Sequence, residues 1–490
     1  MKLEPNHCYT ALKSRDARFD GRFFAAVTTT GVYCRPVCPA RKPLRRHIRF
    51  YPCAAAAEED GFRPCLRCRP ETAPGSPAWE GTSATVTRAL RLISEGCLDE
   101  DDVNALALKL GVGDRQLRRL FQQYLGVAPL AVAQTRRLHF AKQLLDETNL
   151  SITDIVFASG FSSIRRFNSA FKDTFGKSPS SFRNGTDLTT IKGKIASLQV
   201  KISYRPPFDW TSLIRFLKAR AIPGVEDVDE TRYRRTACDD GVSGIIEVQP
   251  EPNKQYLILK IPQDLSRGLV RIVAGVRRIF DLDADPYAIN EYLKNDPLLA
   301  DSIKETPGIR VPGAWDGFEI GVRAILGQQV SVKGATTLSG RLVRAFGSPI
   351  ETSDDPKLCF LFPTPEQLSR KDIGSIGMPK QRARAIRELA KAVRSGTLNL
   401  TTGSDPEKTI EALTALPGIG PWTAQYIAMR VLREPDAFLS SDLVLRRAAA
   451  NAEGKVPTES ELLEMAEPWR PWRAYAAMYL WTHYLRKVNP

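Results

Sequence analysis

The stretch Leu416-Pro417-Gly418-Ile419-Gly420-Pro421-Trp422-Thr423-Ala424 constrains the chain most strongly. A Pro-Gly-x-Gly turn ahead of an apolar helix leaves backbone N–H groups exposed at the helix N-terminus, a natural seat for phosphate. Gly418 and Gly420 are therefore candidate DNA contacts. Trp422 and Tyr426 lie four residues apart and share one face of the helix. Asp442 comes next, just after Phe438-Leu439-Ser440-Ser441. A phosphate grip, an aromatic wall and a carboxylate suit chemistry on a base turned out of DNA.

At 490 residues the chain is too long for one core, and two to four domains are expected. Lys and Arg outnumber Asp and Glu by 70 to 55, a net charge of +15. That balance suits a polyanionic partner, nucleic acid first, although a generically basic protein would carry it too. Met1 to Asp16 holds no apolar signal core, and no apolar run is long enough to span a bilayer. A cytoplasmic protein without a membrane partner is expected. In that compartment thiols stay reduced, so the nine cysteines read as ligands, nucleophiles or core residues.

Pro70-Glu71-Thr72-Ala73-Pro74-Gly75-Ser76-Pro77 reads as a linker, and a weaker break falls near Asn184-Gly185-Thr186. Between them the pattern is helical and repeats itself. Leu117, Phe121, Gly126 and Pro129 recur fifty positions later as Phe167, Phe171, Gly176 and Pro179, with Gly111 and Gly160 ahead of each set. Two copies of a helix-turn-helix unit would produce this echo. Beyond residue 195, Leu198, Val200 and Ile202 alternate as in a half-buried strand. A helix is expected over 209–220, strands near 231–238, 243–249 and 255–261, and an amphipathic helix over 265–280. From about 286 onward helical periods dominate.

Three residues lie between Cys34 and Cys38, two between Cys65 and Cys68, and 26 between the two pairs. Two such pairs can fill a tetrahedral zinc site, and spacing alone favours a structural knuckle. A deaminase would also need an H-x-E, and none of the four histidines begins one.

The context adds to this. Thr29-Thr30-Gly31-Val32-Tyr33-Cys34-Arg35-Pro36-Val37-Cys38, with Gly61-Phe62-Arg63-Pro64-Cys65-Leu66-Arg67-Cys68, resembles the N-terminal domain of Ada-type methyl-phosphotriester repair proteins. The resemblance implies that Cys34, Cys38, Cys65 and Cys68 hold Zn2+ and that Cys34 accepts a methyl group from an alkylated DNA phosphate. Losing one negative charge there would raise DNA affinity and act as a switch, with Arg35, Arg41, Arg45 and Arg67 reaching phosphates.

Residues 84–183 resemble the DNA-binding domain of AraC-type regulators, most specifically through Ile152-Thr153-Asp154-Ile155-Val156, Gly160-Phe161-Ser162-Ser163 and Gly176-Lys177-Ser178-Pro179. The resemblance implies recognition helices near 114–124 and 163–175, entering successive major-groove faces. Arg115, Gln116, Arg118 and Arg119 are candidate contacts on the first helix, and Arg165, Arg166 and Asn168 on the second. For any single arginine, contact with phosphate or solvent is the more common role. RNA polymerase is a candidate partner of such a regulator.

From about residue 197 onward the chain resembles 3-methyladenine DNA glycosylase II, of the helix-hairpin-helix superfamily. Matching blocks include Arg205-Pro206-Pro207-Phe208-Asp209-Trp210, Arg310-Val311-Pro312-Gly313, the run from Gly321 to Val332, and Pro471-Trp472-Arg473-Ala474-Tyr475-Ala476. The resemblance implies that Asp442 is the essential carboxylate and that Phe216, Trp422, Tyr426 and Trp481 build a base pocket. An electron-rich wall would favour cationic bases through cation–π attraction. Asp442 is equally well placed to cap a helix over 443–450, and one residue can do both. Trp469 and Trp472 are expected in the core.

Related enzymes that also cut the strand carry a lysine where this chain has Trp422. A monofunctional enzyme leaving an abasic site is therefore expected, with no organic cofactor. Gln328 and Gln329 fall in the DNA-facing segment, Gln329 at the place where related chains insert an apolar wedge.

The expected architecture is multidomain and mainly α. A zinc-bound α+β methyl-acceptor domain spans 1–77 and an all-α double helix-turn-helix domain 78–186. An α+β subdomain with an antiparallel sheet spans 195–285, and an all-α helix-hairpin-helix glycosylase domain 286–490. The whole reads as a monomeric alkylation-response protein acting on double-stranded DNA. A regulator whose glycosylase-like half only grips DNA is the alternative, and a glycosylase whose front half merely raises DNA affinity is another.

Overall fold

The computed structural model describes residues 4–74, 84–183, 197–350, 355–451 and 453–488. The Pro70–Pro77 linker lies partly outside the described residues, and the break at Asn184-Gly185-Thr186 wholly so. The chain forms two compact units. The first comprises Met1–Arg205, Asp239–Val242 and Val248–Ala274, and the second Pro206–Cys238, Ser243–Glu247 and Gly275–Pro490.

The first unit opens with helix Pro5–Ser14 and a four-stranded sheet of order Ile48–Tyr51, Phe24–Val27, Val32–Cys34, Arg63–Pro64. Three of these strands pair antiparallel, but Arg63–Pro64 runs parallel to Val32–Cys34, with Tyr33 opposite Pro64. That register sets Cys65 beside Cys34, so the fold itself joins the two cysteine pairs.

Seven helices follow among the described residues, from Ala84–Ser94 to Ile164–Phe175. The fifty-residue echo is structural: helices Asp114–Leu125 and Ile164–Phe175 each end on a glycine at φ 75°, Gly126 and Gly176. A side chain there would meet the left-handed penalty, so glycine stops both helices at one place. Leu117, Phe121, Phe167 and Phe171 are fully buried, as the pattern requires. The long helix Pro129–Glu147 joins the two copies.

A five-stranded sheet has the order Ser197–Ser203, Tyr256–Pro262, Val242–Pro250, Tyr233–Asp239, Glu226–Val228. Leu198, Val200 and Ile202 all point inward. The segment expected as one subdomain is thus divided between the two units. A reason is local: Gln143 Nε2 donates to the Lys201 carbonyl at 2.7 Å and Lys201 N donates to Glu147 at 2.9 Å, tying the first strand to helix Pro129–Glu147. The amphipathic helix expected from 265 begins at Leu269, because Gln263–Gly268 forms a 3₁₀ turn.

The second unit is mainly helical from Pro286 to Val488, around one large apolar core that includes Trp469 and Trp472. Trp469 satisfies its buried N–H on Asp296 at 2.7 Å. Among the described residues, no helix is long and apolar enough to cross a membrane.

Candidate functional site

Cys34, Cys38, Cys65 and Cys68 are buried, and their sulfurs all lie within 4.8 Å of one another. Four sulfurs bound to one zinc at about 2.3 Å would sit roughly 4 Å apart, so the donor set fits Zn2+. Sharing protons in so small a space drives the thiols apart: hydrogen bonding to Cys38 pushes Cys34 far up, and hydrogen bonding from Cys34 pulls Cys65 far down. A cation at the centre takes the place of those shared protons and lets all four sulfurs be thiolates. Cys68 Sγ also accepts from the Arg35 backbone N–H at 3.4 Å.

The four arginines expected to reach phosphate around this centre fare differently. Arg41 and Arg67 are exposed. Arg45 is half-buried, with its guanidinium 5.2 Å from the Phe50 ring. Arg35 is committed inward: it pairs with Asp20 and donates to the Cys68 carbonyl at 3.2 Å and to Thr72 Oγ1 at 2.5 Å. In this geometry it braces the loop that carries the ligands.

Next to Cys34, the fully buried Tyr33 joins a polar cluster that sequence spacing could not reveal. Its hydroxyl donates to Glu58 at 2.7 Å, and His139 Nε2 lies 2.9 Å from that hydroxyl and 3.0 Å from Glu58 Oε1. Thr135 donates to the other Glu58 oxygen at 2.5 Å. Thr135 and His139 sit on the helix that joins the two helix-turn-helix copies, and the His139 ring packs 6.4 Å from Phe175. The zinc-bearing sheet is thereby anchored to the second copy.

Burial pushes Glu58 up, but His139, Thr135 and Tyr33 outweigh it and hold its carboxyl below the ordinary value. Burial pushes His139 down, but Glu58 outweighs it and holds the imidazole above 6.5. The signs fix a window of full stabilisation. It is lost as pH falls through the lowered Glu58 pKa, and again as pH rises through the raised His139 pKa. Glu58→Ala leaves a buried imidazolium without its partner and should cost about 3 kcal/mol, read as a drop in the thermal midpoint. The drop should shrink on the alkaline side of the His139 transition.

The expected recognition helices span Asp114–Leu125 and Ile164–Phe175. Arg115, Gln116, Arg119, Arg165, Arg166 and Asn168 are exposed on them. Arg118 is exposed as well, with its guanidinium on Asp114 at 3.0 Å.

In the second unit, helix Pro406–Thr414 and helix Pro421–Arg430 flank the hairpin. Gly418 takes φ 81° to make the turn, and a Cβ there would meet the Ala385 side chain at 2.9 Å. Gly420 occupies the N-cap of the second helix, where no side chain covers the free N–H groups. The Gln328 side-chain amide donates to the Gly418 carbonyl at 2.9 Å and to Thr423 Oγ1 at 3.0 Å, while Arg382 donates to the Gln328 backbone carbonyl at 2.6 Å. It braces the hairpin. Gln329 is exposed and sits at φ 54°, in the left-handed region, beside the exposed Val330. This outlier lies where a wedge is expected.

Asp442 caps helix Leu443–Ala448 by accepting from Leu445 N at 2.9 Å. The same oxygen accepts from the Trp481 indole at 3.1 Å, and the other from the Trp422 indole at 3.0 Å. Among the described residues no Lys or Arg forms an ion pair with it, so its charge is oriented but not neutralised. Trp422 stacks on Tyr426, with ring centroids 5.2 Å apart and planes 9° from parallel.

The remaining pocket residue, Phe216, joins the same wall through Arg430, whose guanidinium lies 5.1 Å from the Phe216 ring and 5.4 Å from the Tyr426 ring. Arg220 lies still closer to Phe216, at 3.8 Å. Protein cations thus already engage two of the four rings, Phe216 and Tyr426. Arg220 and Arg430 were not singled out from sequence. Each stands four residues after the ring it serves, Phe216 and Tyr426, and that helical spacing was the available signal.

Four family models match the chain. The metal binding domain of Ada matches residues 7–71, a helix-turn-helix domain 106–185, the AlkA N-terminal domain 199–316, and the HhH-GPD superfamily base excision DNA repair protein 322–474. The chain is 35% identical over 283 residues to DNA-3-methyladenine glycosylase 2 of Escherichia coli, covering 57% of this chain and 95% of that protein. A solved 3-methyladenine DNA glycosylase from Archaeoglobus fulgidus shares the fold, with a TM-score of 0.52 at 22% identity over 59% of this chain and 99% of that one. A probable bifunctional transcriptional activator/DNA repair enzyme AlkA of Mycobacterium tuberculosis is 44% identical over 485 residues, 98% of this chain and 97% of its own length. With all four parts shared in one polypeptide almost end to end, the chain belongs to this family of bifunctional transcriptional activator/DNA repair enzymes.

Proposed function

We propose that the second unit releases alkylated bases of the 3-methyladenine type from DNA by hydrolysis of the glycosidic bond, with Asp442 as the catalytic carboxylate. The observation that carries this is the pairing of one unneutralised carboxylate with two indoles of an aromatic wall. The N-terminus of helix Pro421–Arg430 grips a DNA phosphate through the open N–H groups beyond Gly418 and Gly420. Gln329 fills the duplex where the damaged nucleotide leaves it.

As the C1′–N bond breaks, positive charge grows on the sugar, and a fixed carboxylate beside it stabilises that charge without reorganising. Three donors already hold the Asp442 oxygens, which suits a fixed negative charge better than a proton acceptor. Water completes the reaction at C1′ and leaves an abasic site. Trp422, in the place of a Schiff-base lysine, offers no amine to cut the strand.

In the first unit, Cys34 takes a methyl group from a DNA methylphosphotriester. Its sulfur attacks the methyl carbon, the C–O bond breaks, and the phosphate leaves as a diester with its charge restored. Bound zinc supplies a thiolate at neutral pH. The thioether product carries one negative charge fewer, so repulsion from the DNA backbone falls and promoter binding strengthens, with RNA polymerase as the downstream partner.

Intact-mass measurement after exposure to methylphosphotriester DNA should show a gain of one methyl on the wild-type chain and none on Cys34→Ser. Unmodified wild-type protein would overturn this assignment, and a parallel assay for freed bases tests the second unit separately.

A further inference from the structure

Four arginines, Arg220, Arg235, Arg323 and Arg430, crowd on the Phe216 side of the pocket, and among the described residues two carboxylates, Glu226 and Glu319, line the same space. Arg235 pairs with Glu319 at 2.9 Å, and Arg323 reaches Glu226 at 3.2 Å and Glu319 at 3.4 Å. Arg220 and Arg430 have no carboxylate partner among the described residues. Arg430 donates to the carbonyls of Pro312 and Gly313 and to the Tyr426 hydroxyl, the last at 2.5 Å. Arg220 donates to the Phe216 carbonyl one turn back, at 3.3 Å. The space these groups line has room for about one water, near 10 Å³.

The crowding shows in the acidities. Burial, joined by repulsion from Arg430 and Arg323, lowers Arg220 to about 10. Burial pushes Tyr426 up, but Arg430, Arg220 and Arg323 outweigh it and hold the phenol below its ordinary value. Positive charge without a carboxylate partner among the described residues thus stands against the Phe216 and Tyr426 rings, while the Asp442 carboxylate is held by the Trp422 and Trp481 indoles.

We propose that Arg220 determines specificity by stabilising the negative charge that a neutral damaged base acquires as it departs. This rests on the base-release reading of the pocket. The two substrate classes place opposite demands on it. A cationic N-alkylpurine leaves as a neutral molecule, so positive charge beside it gives no help. A neutral lesion, such as a deaminated purine with a ring carbonyl, takes the C1′–N electron pair and leaves as an anion. The guanidinium of Arg220 lowers the energy of that anion, water supplies hydroxyl to C1′, and the proton released from that water neutralises the base. Phe216 positions the guanidinium by stacking under it.

The test is single-turnover release of hypoxanthine and of 7-methylguanine from the same position in one duplex. Arg220→Met should slow hypoxanthine release roughly 100-fold, in the range for one preorganised charge-stabilising donor, and 7-methylguanine release less than about 3-fold. Arg220→Lys, which keeps the charge, should hold the wild-type ratio within about 3-fold. Equal losses for both bases, or a larger loss for 7-methylguanine, would overturn the proposal. Should Arg220→Met not fold, Arg220→Gln replaces it with the same expected ratio. Wild-type protein that frees neither base would instead defeat the base-release reading on which the proposal stands.

Discussion

Asp442→Asn should slow release of 3-methyladenine and 7-methylguanine about 10³-fold, near 4 kcal/mol of transition-state stabilisation, while DNA affinity stays unchanged. Asparagine caps a helix about as well as aspartate, so the bond to Leu445 N survives. What is lost is the charge, together with the Trp422 hydrogen bond: the oxygen that caps Leu445 N also keeps the Trp481 indole, and the amide nitrogen in the other place cannot accept from Trp422. That lost bond costs only about 1 kcal/mol of stability. The rate effect therefore exceeds the folding effect several-fold, and the two separate cleanly when the melting transition is measured beside the kinetics. Asp442→Ala would confound them by removing the cap too. Base release within 10-fold of wild type in the Asn variant would rule out Asp442 as the catalytic carboxylate.

Stripping zinc from the first unit should unfold the sheet that carries the four cysteines. Its apolar cores are small: one gathers Cys8, Ala11, Leu12, Phe23, Ala25 and Ile48, and another Phe24, Ala26, Tyr33, Ala54, Ala57 and Phe62. Zinc binding contributes about 10–16 kcal/mol in structural sites at neutral pH, as much as the whole stability of an ordinary domain. The loss should spread. Tyr33 and Glu58 hold His139 and Thr135, so helix Pro129–Glu147 should lose hydrogen-exchange protection along with the sheet. A chelator that removes zinc while leaving exchange in that helix unchanged would show that the anchor does not transmit order. Metal affinity should also fall with falling pH, because each ligand must be a thiolate.

Much of this molecule was legible in local patterns. The hairpin turn, the cysteine spacing and the fifty-residue echo each rest on residues close in the chain, and each led to the element now seen there. Asp442 could be suspected of capping because a cap needs only the three residues that follow. The four cysteines were legible as one site because few other uses need two such pairs. Arg35 and Gln328 show what was not legible: a charged or amide side chain beside a DNA-facing motif has the same sequence signature whether it points outward or inward. Their true partners, Asp20 with Thr72 and Gly418 with Thr423, emerge only when the chain closes on itself.

Spacing, charge and turn chemistry determined the kinds of element this chain builds and the residue types able to carry its chemistry, because periodicity and capping act within a few residues. The tertiary structure decided how charge is distributed around those residues. Among the described residues it gave Asp442 two indoles and no cation and placed Arg220 and Arg430 against the pocket rings without carboxylates, and it joined Glu58 to His139 across 81 positions. Coulomb energies depend on distance in space and on exclusion of water, and neither is written in the order of residues.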